Sequence, residues 1–412
     1  MKSQIVSDNL LVAVDIGTTK ICVLIAQKVG ENSLNILGIG KAPSYGIARG
    51  VVVDISQAVH AIKLALKEAE LMAGCKVEAA VVGISGAHIQ SINSHGMIPI
   101  KHGRIRAYDI ACVLSAAKTV VISEGQQILH VLPQYFMIDS QQKVMDPVGM
   151  FGVRLEAQVH IITGSIASVQ NIIRCCQMAG IGVNDVVLEP LASAESVLSK
   201  DEKELGVALL DIGGGTSDFA IYQQGTIRYT KIFPIAGNHV THDIALCLRT
   251  TLKDAERIKQ EFGTTNNSTL DFKEGFEVEM VHGGENKRVT AHELFYIIEP
   301  RINELLVMVQ KEITQQGLEH LMPAGIVLTG GGALLRGMKE VSQLMLGAPA
   351  RIGIPHVPHM FKESLESPLY ATSYGLLLHL MKTSKGVSME QLTGPLISRI
   401  LWRMKSWVSD FF

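Results

Sequence analysis

Two stretches of this chain carry almost the same phrase. LLVAVDIGTTK (Leu10–Lys20) runs five apolar residues into Asp15 and a Gly-Thr-Thr turn, and VALLDIGGGTSD (Val207–Asp218) repeats it with Asp211 and a Gly-Gly-Gly-Thr turn. A second apolar run follows each, Ile21–Gln27 and Phe219–Tyr222, so each phrase reads as two antiparallel strands joined by a tight turn. Glycine lets backbone N–H groups come close to phosphate oxygens, and threonine hydroxyls add donors. A carboxylate at such a turn would repel phosphate unless a cation stood between them. Asp15 and Asp211 therefore imply Mg²⁺, held through water. One such phrase alone is ordinarily just a hairpin; two imply duplicated halves facing each other across a cleft.

Apolar strand-like runs alternate with helical patterns along most of the chain, which predicts an α/β fold. Ser56–Ala73 is expected to be a helix capped by Ser56, and Glu78–Ser85 a strand. From about His88 to Val159 the texture turns more polar, with short strands and a helix near Tyr108–Val121, as for an inserted subdomain. The α/β pattern resumes at Val159–Gly164. A polar loop at Gly263–Thr269 and a Gly-Gly turn at Gly283–Gly284 mark a second insertion. A helix is expected over Glu299–Ile313 with Pro300 in its first turn.

Further motifs follow in order. Glu256 and Lys259 stand three apart on one helical face, a spacing suited to ribose hydroxyls and phosphate, or to a surface ion pair. LTGGGALL (Leu328–Leu335) joins an apolar strand to a glycine turn, Gly330 to Gly332, where backbone can lie against a purine or a phosphate. LEPLASAES (Leu188–Ser196) and ATSYGLLL (Ala371–Leu378) offer small residues where two helices could cross. No GxxxxGK[ST] motif occurs.

This ordered set resembles the superfamily of actin, heat-shock chaperone ATPases and sugar kinases. Within it, VLPQYFMID (Val131–Asp139), DPVGMFGVRLEAQVHIITG (Asp146–Gly164) and IEPRINELL (Ile298–Leu306) resemble the FtsA family of bacterial cell-division proteins, over nearly the whole chain. The resemblance implies a duplicated RNase H-like, actin-like two-domain ATPase fold. Domain 1A would take residues 1–83, 163–198 and 376–385, interrupted by a subdomain 1C over 84–162. Domain 2A would take 199–243 and 324–375, with subdomain 2B over 244–323. It implies ATP and Mg²⁺ as ligands, with Asp15, Gly17, Thr18, Thr19 and Lys20 meeting phosphates and metal, and Asp211 with Gly213, Gly214, Gly215 and Thr216 facing them. Glu256 and Lys259 would hold the ribose, and Gly330, Gly331 and Gly332 the adenosine. The C-terminal peptide of FtsZ would bind 2B, making Arg301 and Glu304 candidate contacts on a helix whose Ile302, Leu305, Leu306 and Val309 form the buried face. Self-association, and recruitment of later division proteins through 1C, are implied as well.

After a linker at 386–395, residues 396–412 form an amphipathic pattern. Leu396, Ile397, Ile400, Leu401, Met404, Trp407, Val408, Phe411 and Phe412 fall on one arc of about 160°, with Arg399 and Arg403 opposite and Lys405 at its edge. Trp407, Phe411 and Phe412 on such an arc, with Trp402 the one apolar residue off it, mark an interfacial membrane helix, and three basic residues against Asp410 favour an anionic surface modestly. No apolar signal core opens the chain and no stretch approaches the roughly 20 apolar residues that span a bilayer, so the chain is expected to be cytoplasmic or attached to a membrane from one side. The FtsA resemblance implies the cytoplasmic face of the inner membrane, peripherally, at the division site. The net charge of −2 gives no general attraction to nucleic acid, and six scattered cysteines without metal-ligand spacing read as reduced thiols. The reading is a membrane-tethering scaffold that joins FtsZ filaments to the membrane and is at most a weak ATPase. A small-molecule kinase of the same fold, with Asp218 as its base, is the alternative. A chaperone ATPase would need a further substrate domain.

Overall fold

The computed structural model describes residues 10–30, 33–141, 143–267, 275–281, 286–358 and 361–383. The first half opens with β1 (Leu10–Ile16), β2 (Lys20–Val29) and β3 (Ser33–Pro43), then a short ladder of β4 (Ile47–Ala48) and β5 (Val51–Val52). Helix α1 (Ile55–Ala73) follows, and β6 (Ala79–Ile84) returns to pair with β1 in parallel. The cap of α1 is Asp54, not Ser56: its carboxylate accepts from the Gln57 amide at 3.0 Å, and an aspartate at that position competes better for the free N–H groups.

An insertion then builds its own four-stranded sheet from β7 (Gln90–Pro99), β8 (Gln126–Ile138), β9 (Lys143–Val144) and β10 (Arg154–Ser165), with α2 (Ala107–Ala117) across one face. Ile105, Ile110, Val113 and Leu114 pack there on Phe136, Leu155, Val159 and Ile161 as a separate core. The segment at Val159–Gly164 belongs to β10 of this sheet rather than to a resumed α/β layer. Its ten-residue pairing with β7 holds it there, so the boundary expected at residue 162 falls inside a strand. Next come α3 (Ile166–Ala179), β11 (Gly182–Leu188), α4 (Glu189–Val197) and α5 (Lys200–Leu205).

The second half repeats the first: β12 (Val207–Ile212), β13 (Ser217–Gln223) and β14 (Thr226–Phe233) form a meander. Then α6 (Gly237–Leu248), α7 (Leu252–Phe262), the hairpin β15 (Gly275–Val278) and β16 (Lys287–Thr290), and α8 (Ala291–Gln316) form the second insertion. The half closes with β17 (Ile326–Thr329), α9 (Met338–Leu346) and β18 (Ala350–Ile352), and α10 (Lys362–Leu365) and α11 (Ala371–Thr383) end the described chain. The two large sheets share one topology, β11-β6-β1-β2-β3 against β18-β17-β12-β13-β14, each with two antiparallel and two parallel pairings.

Helix α8 differs most from expectation. It starts at Ala291, eight residues before the expected Glu299, because Thr290 and Glu293 form a capping box in which each side chain takes the other's amide. Pro300 therefore sits inside the helix, not in its first turn. No helix among the described residues is long and apolar enough to cross a membrane. The linker and the amphipathic segment, 386–412, lie outside the described residues.

Helices α4 and α11 cross between the halves with almost no separation. A Cβ on Gly375 would fall 1.8 Å from the Ala192 carbonyl oxygen, so only glycine permits the approach. Behind the crossing, Glu195 of α4 pairs with Lys203 of α5 at 3.0 Å and with Lys382 of α11. Burial alone would raise the Glu195 carboxyl, but the two ammonium groups outweigh it and hold it at about 2. Because the folded value is depressed, this contribution to stability is present above the ordinary glutamate range and is lost as the pH falls through it toward 2. Glu195→Ala strands the well-buried Lys203 and is expected to cost about 3 kcal/mol, read as a lower urea midpoint at neutral pH.

Candidate functional site

The strand ends that carry the two repeated phrases converge on one cleft of about 470 Å³, within the range of small-ligand sites. Their turns are built alike: the Gly17 amide donates to the Lys20 carbonyl at 3.0 Å, and the Gly213 amide to the Thr216 carbonyl at 2.9 Å. In register, Asp15 stands opposite Cys22 and Asp211 opposite Asp218. The turns face each other at contact distance, since a Cβ on Gly215 would lie 2.4 Å from Thr18 Oγ1 and one on Gly214 2.5 Å from Thr19 Cγ2.

Both aspartates are buried, and hydroxyls of the crossing helices hold them. Ser373 donates to Asp15 at 2.8 Å; Ser193 at 2.5 Å and Thr372 at 3.2 Å donate to Asp211. Burial raises both carboxyls above their ordinary range, and Lys20 opposes this in each. Asp218 accepts from Ser85 at 2.7 Å, yet burial and the neighbouring Asp211 push it up to about 8. Glu189, the first residue of α4, enters the same cleft and is raised well above the usual carboxylate range by burial and by Asp15, Asp218 and Asp211.

Four acids thus share a buried floor facing backbone amides, a charge arrangement whose natural complement is a cation together with phosphate. Two buried carboxylates, one from each half, beside phosphate-type turns suit a hard cation such as Mg²⁺, which keeps most of its waters and takes few protein oxygens. Asp15 and Asp211 would hold those waters.

All the other sequence-chosen ligand residues line the same cleft: Gly17, Thr18, Thr19, Lys20, Gly213 to Thr216, Glu256, Lys259 and Gly330 to Gly332. Lys259 on α7 reaches Glu256 at 2.7 Å, the Thr241 hydroxyl at 2.8 Å and the Gly237 carbonyl at 3.1 Å, so the pair is both an ion bridge and part of the wall. Gly330 has φ +79°, and a Cβ there would lie 2.3 Å from Asp211 Oδ1, a position no other residue fills. After Gly330 the chain makes a single 3₁₀ turn, Gly331–Leu334, and α9 begins at Met338.

Arg301 and Glu304 part company. Arg301 lines the cleft and forms a two-pronged pair with Asp243 at 2.7 and 3.0 Å, besides its bond to Glu304, which is exposed. The spacing of the helix predicts both outward; the partner that turns Arg301 inward lies 58 residues away on α6. Glu189 and the hydroxyls of Ser193, Thr372 and Ser373 are further residues of the site that no motif singles out, although all lie in the two small-residue motifs. The signal was a polar residue recurring in helices otherwise made for close crossing.

Duplicated five-stranded sheets, a cleft lined by both phosphate-type turns and a helix crossing beneath it define the actin-like class. Solved structures of this fold are similar over most of the chain. The PilM-PilN type IV pilus biogenesis complex gives a TM-score of 0.65 at 17% identity, covering 90% of this chain and 98% of that one. MreB 5 of Spiroplasma citri bound to AMPPNP gives 0.56 at 14%, covering 90% and 95%. The family model "Cell division protein FtsA" matches residues 208–375, and "SHS2 domain inserted in FTSA" matches 86–163. The Cell division protein FtsA of Pseudomonas aeruginosa is 42% identical over 417 residues, the full length of both chains, and that of Escherichia coli K12 is 37% identical over 414, 98% of each. The chain belongs to the FtsA family of cell division proteins.

Proposed function

We propose that this chain binds Mg·ATP in the cleft, self-associates, and tethers FtsZ filaments to the cytoplasmic face of the inner membrane at the division site, with later division proteins engaging the insertion. The observation that carries the nucleotide reading is the meeting of two similarly built hairpin turns from opposite halves over buried carboxylates. Full-length similarity to FtsA relatives supports the scaffold and favours it over a small-molecule kinase. Adenosine would lie against Gly330–Gly332, with Glu256 and Lys259 toward the ribose. Bound Mg·ATP would chiefly set the closure of the halves and polymer contacts, with at most weak turnover.

The test is cosedimentation of the whole chain with FtsZ and liposomes, with and without ATP, alongside phosphate release. ATP-dependent recovery of FtsZ with the liposomes supports the scaffold. Phosphoryl transfer to a small molecule with no FtsZ recovered would overturn it. Removing residues 396–412 is expected to abolish liposome flotation; undiminished flotation would sink the tail assignment. Arg301→Glu is expected to weaken binding of a C-terminal FtsZ peptide about tenfold. Since Arg301 also lines the cleft, ATP affinity is measured on the same variant, and an unchanged peptide dissociation constant would remove Arg301 from the partner site.

A further inference from the structure

The insertion leaves the first half of the chain, yet it is bonded to the second. Ser91 Oγ on β7 donates to the Thr230 carbonyl at 2.9 Å, Asn93 Nδ2 to the Arg228 carbonyl at 3.4 Å, and Gln134 Nε2 on β8 to the Ile227 carbonyl at 2.9 Å. All three acceptors belong to β14, an edge strand of the second sheet among the described residues, so insertion side chains bond to that edge.

His160 on β10 ties the seam together, its Nδ1 2.7 Å from Asn93 Oδ1 and its Nε2 2.9 Å from Thr230 Oγ1. Asn93 Oδ1 can only accept, so Nδ1 carries the proton, Nε2 accepts, and the Thr230 hydroxyl donates. Burial lowers His160 to about 4, which keeps the ring neutral and this pattern fixed at ordinary pH. Gln134, His160 and Thr230 are each under 5% exposed, the burial of a packed interface rather than a surface contact. Beneath them, Leu129 and Leu132 of β8 share one buried cluster with Ile227 and Ile232 of β14.

The seam lies a few residues from the cleft floor. Ser85, at the end of β6, reaches across to Asp218 at 2.7 Å, and the chain then runs to Ser91 and Asn93. One short stretch therefore fastens the halves at the floor and again at the outer edge of β14. A hinge at the α4–α11 crossing cannot open freely while a second fastening, off its axis, stays made. We propose that the insertion is a strap between the two halves, and that its docking on β14 holds the cleft closed and limits how fast bound nucleotide leaves. The nucleotide clause rests on the cleft reading above; the strap itself does not.

The experiment uses the whole chain with Cys75, Cys112 and Cys247 changed to serine and spin labels at two exposed positions, Lys67 on α1 and Lys339 on α9. Distances are measured without nucleotide in the parent and in two seam variants, Gln134→Ala and Ser91→Ala/Asn93→Ala, each checked for a cooperative thermal transition. The expected result is one narrow distance in the parent and a broader distribution with a longer component in the variants. Identical distributions in folded variants would overturn the strap. Dissociation of a fluorescent ATP analogue is then expected to be about tenfold faster in the variants, the scale of one or two lost hydrogen bonds. Broadened distances with an unchanged dissociation rate would overturn the gating clause. A parent that binds no analogue would defeat the cleft reading instead, and the distance measurement would still decide the strap.

Discussion

Asp211→Ala is expected to weaken Mg·ATP binding by at least about a hundredfold, measured by titration calorimetry at fixed Mg²⁺. The carboxylate is buried, and two hydroxyls from different helices orient it toward the cleft. Burial raises it and the nearby Asp15 adds to that, while the Ser193 and Thr372 hydroxyls and the Lys20 ammonium oppose it, so a bound metal would be a strong electrostatic partner. Losing a charged group with two aimed hydrogen bonds removes about 3 kcal/mol, which is a hundredfold in affinity. Asp211→Asn separates the contributions, since it keeps acceptor capacity for Ser193 and Thr372 and removes only the charge. A variant Asp211→Ala with wild-type affinity would exclude this cleft as the Mg·ATP site.

Gly375→Ala should be among the most destabilising single methyl additions at the described glycines. The new carbon would sit 1.8 Å from the Ala192 carbonyl oxygen and 2.4 Å from its carbon, both backbone atoms that cannot rotate away. The helices must separate, at an expected cost of about 3 kcal/mol and roughly 3–4 °C in the unfolding midpoint. Separation also carries Ser193, Thr372 and Ser373 off their carboxylates, so nucleotide affinity falls with stability. Scanning calorimetry with an unchanged midpoint would show that α4 and α11 do not touch there.

How much of this was readable beforehand depends on the range of the forces involved. The two hairpins were legible because strand period, glycine turns and the terminal acid all sit within a dozen residues. The glycine run at 330–332 and the pair Glu256–Lys259 were legible for the same reason. The start of α8 was not: the proline at 300 is a strong local signal for a first turn, and it masked the capping box at Thr290 and Glu293. Val159–Gly164 read as the return of the main layer because its apolar run is continuous; only pairing with β7 and β8 assigns it to the insertion. Glu189 and the inward turn of Arg301 depend on partners far along the chain, which composition and spacing do not encode. The seam on β14 is the extreme case, since Gln134 and Ile227 are 93 residues apart and each alone is an unremarkable strand residue.

The first turn of α11 sets a condition on length rather than on residue type. Thr372 holds the acid of the second half and Ser373, its neighbour, the acid of the first. Successive residues of a helix point about 100° apart, so the helix is phased to the angle between the two carboxylates. Insertion or deletion of one residue within Pro368–Ala371 would keep Thr372 and Ser373 and still turn both hydroxyls away. Substitutions in that segment can be absorbed; a change of count cannot, and single-residue indels there should be the least tolerated alterations around the cleft.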